Sequence, residues 1–151
     1  MSQCVGTRLA FVFTFLFQSL TFLVPAQQEV TWEQLQEVEF ESEYNQETLE
    51  MLWYAEFGEG VKQLEGKTIS ITGYVIPFRK DENLYALSAY PFAACFFCGN
   101  AGPESVIELK FQTADREFNM DDYLTIQGVL RLNADDPYKL NYVLEHAKVE
   151  E

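Results

Sequence analysis

The stretch TISITGYVIP, residues 68–77, decides the fold. Apolar Ile69, Ile71 and Val75 alternate with polar residues in it, which is the period-two pattern of a β-strand with one buried face. Gly73 occupies one of the apolar positions, and a glycine inside a strand marks a bulge or a bend where a sheet curls on itself. We expect Pro77 to end the strand. The sequence therefore predicts a long strand that bends at Gly73.

Four further strands follow it. They are predicted at residues 84–88, after a turn at residues 81–83, and at residues 106–111, 123–132 and 140–149. The third of these four also contains an interior glycine, Gly128. Five strands, two of them bent at glycine, predict a mainly β chain that forms a small five-stranded barrel of the OB type. A β-sandwich is the alternative.

The residues before the barrel strands have a different pattern. Residues 27–43 are acidic and predict a lead-in arm, so that the barrel domain comprises residues 44–151. Leu49, Leu52, Trp53 and Phe57 then follow a spacing that places them on one face of a helix. Asn45 is a candidate N-cap for it, and glycine follows Phe57. We therefore predict one short N-terminal helix.

The first 26 residues have the three-part organisation of a secretory signal peptide. Residues 1–8 carry one positive charge, residues 9–24 are uncharged and mostly apolar, and Ala26 precedes a polar stretch. We expect cleavage near Ala26 and a periplasmic or secreted protein. An uncleaved membrane anchor is the alternative.

The charge of the chain excludes two classes of partner. The net charge is −14, and cleavage after Ala26 would remove Arg8 and no acidic residue, which leaves −15. Such a surface repels nucleic-acid phosphates and anionic lipid headgroups, whereas it attracts cationic partners, metal ions included. We expect neither nucleic-acid binding nor direct binding to an anionic membrane.

Two segments resemble a known family. LEGKTISITGYVIP at residues 64–77 and the loop PFAACFFCGNAGPES at residues 91–105 resemble an uncharacterised family of exported bacterial OB-like proteins, a domain of unknown function, over about residues 32–149. The resemblance implies a periplasmic accessory role beside an envelope membrane transporter. Only Cys95 and Pro103 match the loop pattern of that family, in which a histidine and several prolines follow the cysteine.

Cys95 and Cys98 are the only cysteines after the predicted signal peptide, because Cys4 lies inside it. Three uses remain open. They can form a disulfide, which export favours, although so small a loop contributes only about 2 kcal/mol. They can hold Zn²⁺ or Cu⁺ as thiolates. Thiol–disulfide exchange is the third use, but its usual helix N-terminus is not predicted after Cys98, where glycines and a proline follow.

A zinc site would need further ligands. His146 is the only histidine in the chain, and alternation along the last strand places it on the same face as Tyr142 and Leu144. Glu104 follows the cysteine loop closely. These two residues are the candidates for completing a metal site with Cys95 and Cys98.

Three aromatic residues of the loop, Phe92, Phe96 and Phe97, either bury the cysteines or form a contact surface for a partner. The sequence has no phosphate-binding glycine loop, no His-Glu metal helix and no Ser-His-Asp set, and it predicts no catalytic residue. We therefore predict a non-enzymatic binding or accessory module, with an interaction module or a redox protein as alternatives.

Overall fold

The computed structural model describes residues 27–79, 84–99, 101–111, 113 and 117–150. The predicted signal peptide, the predicted turn at residues 81–83 and Asn100 of the cysteine loop lie outside them. The elements are β1 (Gln28–Glu29), α1 (Trp32–Leu35), β2 (Val38–Asn45), β3 (Glu50–Phe57), α2 (Glu59–Lys62), β4 (Thr68–Arg79), β5 (Leu84–Ser88), β6 (Val106–Phe111), β7 (Asp122–Leu132) and β8 (Tyr142–Val149). Within this described part, none of the helices has the length and apolar character needed to cross a membrane.

Five strands close into a barrel. β4 pairs antiparallel with β5 and β5 with β6, after which β6 runs parallel to β8. β8 pairs antiparallel with β7, and β7 pairs back onto β4. The helices α1 and α2 are short. The prediction of a mainly β chain with a small five-stranded barrel is therefore confirmed.

The closure depends on the bend in β4. Its residues from Thr68 to Val75 pair with β7, whereas its residues from Tyr74 onward pair with β5. A Cβ atom at Gly73 would lie 2.5 Å from the carbonyl oxygen of Ser88 at the end of β5, so a glycine is needed for this close approach. The prediction that the strand ends at Pro77 is wrong. Pro77 pairs with Tyr85 beside a register shift, a position that a proline tolerates.

A bulge in β8 changes which side chains face the core. Lys110 pairs with Glu145 and Phe111 pairs with Ala147, so His146 is left out of the register, and its φ is +54°. Ala147 is therefore buried and His146 is exposed. The prediction that His146 shares the face of Tyr142 and Leu144 is wrong, because the bulge interrupts the alternation.

Residues 45–57 form part of a β-hairpin, so the helix predicted there is wrong. β2 and β3 pair antiparallel as a separate two-stranded sheet, and β2 crosses the predicted boundary between residues 43 and 44. The Asn45 side-chain oxygen accepts hydrogen bonds from the backbone N–H groups of Glu47 (2.9 Å) and Thr48 (3.2 Å). The residue that resembled a helix N-cap thus caps the hairpin turn, since both structures use the same short polar side chain.

Two hydrogen bonds fix the N-terminal residues to the barrel. The Tyr142 hydroxyl donates to the carbonyl oxygen of Leu35 at 2.6 Å, and the Trp32 indole N–H donates to that of Thr72 at 2.8 Å. Leu35 is fully buried, and the hairpin contributes Phe57 to the same core. The arm and the base of the hairpin are therefore part of one packed unit with the barrel.

We predict that Gly73→Ala lowers the free energy of unfolding by about 1–3 kcal/mol, because the new methyl group meets backbone that cannot move aside. Gly102→Ala is the matched control. The heavy atoms nearest to its Cβ would be those of the Glu104 carboxyl group, the free end of a flexible side chain, so we expect a change within about 0.5 kcal/mol. Urea denaturation measures both changes, and equal losses in the two variants would contradict the proposed cause.

A second prediction concerns alkaline stability. Burial, with a smaller effect of the Glu104 carboxylate, raises the pKa of Tyr142 above its ordinary value. The folded chain then holds this proton more tightly than the unfolded chain, so the stabilisation is complete below pH ~10 and declines as the pH rises further. Tyr142→Phe should cost about 1–2 kcal/mol at pH 7, because it leaves the Leu35 carbonyl without its donor.

Urea denaturation of both proteins between pH 7 and pH 11 tests this. The difference in unfolding free energy between the wild type and Tyr142→Phe should narrow above pH ~10. A difference that stays constant across this range would show that Tyr142 is not held in its protonated form.

Candidate functional site

The cysteine loop connects β5 to β6 and is held at both ends. It contains three short 3-10 turns, Phe92–Ala94, Phe96–Cys98 and Pro103–Ser105. The backbone N–H of Ala89 donates to the carbonyl oxygen of Ser105 at 3.0 Å, which closes the base of the loop. The N–H of Phe92 donates to the Asp121 carboxylate at 2.7 Å. These bonds position the cysteines relative to the barrel.

The structure brings Cys95 and Cys98 together as free thiols, with Cys95 fully buried and Cys98 exposed. The backbone N–H of Cys98 donates to the carbonyl oxygen of Cys95 at 3.1 Å, and the Cys98 thiol donates to that of Phe92 at 2.9 Å. Desolvation raises the pKa of the Cys98 thiol above its ordinary value, and the neighbouring Cys95 raises it further. The Cys95 side chain therefore lies close enough to affect the ionisation of Cys98.

The structure does not bring the two other candidate ligands to this pair. Glu104 lines a cavity of about 470 Å³ together with Trp32 and Ser105, and neither cysteine is among the described residues that line it. His146 lies on the exposed bulge of β8. Among the residues that the structure describes, no group of three or more His, Cys, Asp or Glu side chains could hold a metal ion.

The cysteine geometry gives thiol–disulfide exchange the least support. Cys98 ends a three-residue 3-10 turn, and the chain then turns at Gly99 with φ +70°. So short a turn lacks the aligned peptide dipoles that lower a thiol pKa at a helix N-terminus. The raised pKa of Cys98 is consistent with this and keeps the thiol protonated at neutral pH.

The aromatic residues of the loop extend onto the barrel surface. The rings of Phe96 and Phe97 have centroids 5.5 Å apart, and Phe97 makes an edge contact at 4.2 Å with Phe78 near the end of β4. Phe78, Phe92 and Phe97 all count among the exposed large apolar residues of the described structure. The loop thus presents aromatic rings to solvent even though Cys95 beside them is buried.

Two adjoining grooves lie next to these rings. The first, about 590 Å³, is lined by Phe96, by Trp53 of the hairpin and by Tyr138 and Leu140 of the β7–β8 loop. The second, about 580 Å³, shares Tyr138 and Leu140 and continues over β5 and β6 to Phe78. This is the face on which OB folds bind their ligands, between the loop that joins their first two strands and the loop that joins their last two. We refer to Trp53, Phe78, Phe96, Phe97 and Tyr138 as the aromatic surface.

Sequence reasoning identified the loop but missed the other half of this surface. Trp53 was assigned to the face of the wrongly predicted helix. Phe78 and Tyr138 each follow a proline at the end of a predicted element. Both are large aromatic residues outside the alternating pattern of the core, and this could have identified them as surface residues. Their proximity to Phe96 and Phe97 depends on barrel closure, which the local sequence does not specify.

Comparison with known proteins places the fold in a family. A family model with the description "Protein of unknown function (DUF3299)" matches residues 21–151. The chain is similar to the crystal structure of a DUF3299 family protein (PA4066) from Pseudomonas aeruginosa PAO1, with a TM-score of 0.53 and 16% identity over 83% of this chain and 97% of that one. At this identity the likeness shows the fold alone. Among curated proteins, none matches the sequence.

Proposed function

Because the chain belongs to the DUF3299 family of proteins of unknown function, we propose its function from the site itself: it is an exported, non-enzymatic binding module that docks an envelope protein on the aromatic surface. Cys95 and Cys98 act as a clasp that holds the loop carrying Phe96 and Phe97. Export through the predicted signal peptide places the module outside the cytoplasm, where a disulfide between the two thiols persists.

The aromatic surface is the observation that carries this proposal. Trp53 is 56% exposed and Tyr138 is 68% exposed, and both adjoin the groove that contains Phe96. Large aromatic side chains gathered at the surface are typical of protein-binding sites, where Trp and Tyr contribute most of the binding energy. The charge of −14 repels nucleic acid, which is one of the usual ligands of an OB fold. A protein of the envelope, such as a membrane transporter, fits these properties.

A second function is favoured by the closeness of the two cysteines, whose backbones are joined by a hydrogen bond within one turn. Two neighbouring cysteine thiolates are soft ligands that suit Cu⁺. A structural Zn²⁺ site would need four ligands, and the described residues around the loop supply only this pair. We therefore propose Cu⁺, rather than Zn²⁺, as the ion for a metal-binding role of Cys95 and Cys98.

Site-specific photo-cross-linking in the native host tests the docking function. A photoreactive amino acid at Tyr138 should yield one discrete adduct with an envelope protein, because this position lies in the groove. The same substitution at Tyr123 is the matched control, since Tyr123 is 62% exposed but lies on β7 outside the groove. No adduct at either position, or the same adducts at both, would contradict the proposal.

Native mass spectrometry of the reduced protein tests the metal-binding role. We expect one equivalent of Cu⁺ to be retained and the double variant Cys95→Ser, Cys98→Ser to retain none. Because the Cys98 pKa is raised, binding must release its proton, and the affinity should increase with pH.

The double variant Glu104→Gln, His146→Ala is the control for this experiment and should bind Cu⁺ as the wild type does. If the reduced wild type retains no ion, the metal-binding role is wrong and the clasp remains. Titration of free thiols in protein taken from its native compartment then reports directly whether the clasp is closed.

A further inference from the structure

The β2–β3 hairpin has an apolar face that is only half covered. Alternation along β3 places Met51, Trp53 and Phe57 on the same side, with Tyr44 directly opposite Met51 on β2. Phe57, near the base, is buried in the core. Towards the tip, Tyr44, Met51 and Trp53 are each more than half exposed. The hairpin therefore carries a half-exposed apolar face, and Trp53 joins this face to the groove of the aromatic surface.

The opposite face of the hairpin is strongly acidic. Between residues 38 and 57 there are six glutamates and no lysine, arginine or histidine: Glu39, Glu41, Glu43, Glu47, Glu50 and Glu56. Glu39 lies directly opposite Glu56 across the two strands, and like charges in that position destabilise a hairpin. A cationic partner placed beside these strands would relieve this repulsion.

The outer edge of β2 is the third feature of the hairpin that suits it to binding. Within the part of the chain that the structure describes, β2 pairs with β3 and with no other strand. Its outer backbone N–H and C=O groups can accordingly receive an added strand, the mode by which many domains bind extended peptides. Such a strand would place alternate side chains beside Glu39, Glu41 and Glu43 and the others beside Phe40 and Tyr44.

We propose that the β2 edge binds an extended cationic polypeptide segment in which basic and apolar residues alternate. This inference rests on the proposed docking function and names the chemistry of the docked partner. A second copy of this chain is disfavoured, because two β2 edges would bring glutamates against glutamates. Nucleic acid is disfavoured by the same charge.

Isothermal titration of the purified protein with synthetic eight-residue peptides tests the proposal. The probe alternates lysine with valine. One control peptide alternates lysine with serine, a second alternates glutamate with valine, and a third is the probe with alternate backbone amides methylated. We expect the probe to bind and each control to bind at least roughly tenfold more weakly, since each lacks the apolar contacts, the charge or the strand hydrogen bonds.

Variants of the protein identify the edge. Glu39→Gln, Glu41→Gln, Glu43→Gln should raise the Kd of the probe roughly tenfold at low salt, from three exposed charge pairs. A control variant removes the same charge elsewhere, at Glu29→Gln, Glu117→Gln, Glu150→Gln, and should change the Kd of the probe by less than about twofold.

A further variant tests the apolar face. Trp53→Ser should weaken binding of the lysine–valine peptide and leave binding of the lysine–serine peptide unchanged. Because Trp53 is exposed, this variant should keep its fold, and Tyr44→Ser provides a second test on the same face.

Three results would overturn the inference: equal binding of the lysine–valine and lysine–serine peptides, no effect of backbone methylation, or equal effects of the two glutamate triples. Self-association in sedimentation that is lost in Trp53→Ser would identify a second copy as the occupant instead.

The cross-link at Tyr138 separates this inference from the proposed function. If that adduct persists in the Glu39, Glu41, Glu43 variant with unchanged yield, docking stands and the cationic segment is wrong.

Discussion

The close approach of β4 and β5 at Gly73 is the constraint on which the rest of the structure depends. β4 forms hydrogen bonds with β7 along its first half and with β5 along its second half, and it can do so because no side chain separates it from Ser88. A straight β4 would leave an open sheet with two exposed edges. The bend closes the barrel and thereby fixes where the connecting loops emerge.

The candidate site follows from this closure. The cysteine loop leaves the end of β5 that packs against Gly73, and the β7–β8 loop emerges on the same side of the barrel, so their aromatic residues meet over β5 and β6. The Tyr138 hydroxyl donates to the Glu50 carboxylate at 3.2 Å and ties the β7–β8 loop to the hairpin. Residues far apart in the sequence thus form one surface, because a closed barrel has few places from which loops can emerge.

The sequence was informative where one physical preference acted alone. Alternation predicted the barrel strands, and Gly73 and Gly128 marked a close approach and a bulge as expected. Prediction from the sequence failed where one residue suits two structures. Asn45 caps a hairpin turn with the same side-chain hydrogen bonds that would cap a helix. His146 was misplaced because a bulge shifts alternation by one residue, and only the pairing of β8 with β6 and β7 determines where that bulge lies. The aromatic surface is likewise a product of tertiary structure.

The hairpin departs from the pattern of the barrel strands, in which most apolar residues are buried and like charges are kept apart, and this departure bears on its function. An isolated two-stranded hairpin is marginally stable in water, and this one adds an exposed apolar tip and a directly opposed pair of glutamates. Among the described residues, the core holds the base of the hairpin, where Ala55 and Phe57 are buried and Val38 and Phe40 pack against the core. Natural sequences depart from local consistency mainly at functional sites. Both departures lie on the two faces that flank the outer edge of β2, which pairs with no strand among the described residues other than β3, so a single ligand along that edge would relieve both. For this reason we assign the unfavourable features of the hairpin to binding rather than to folding.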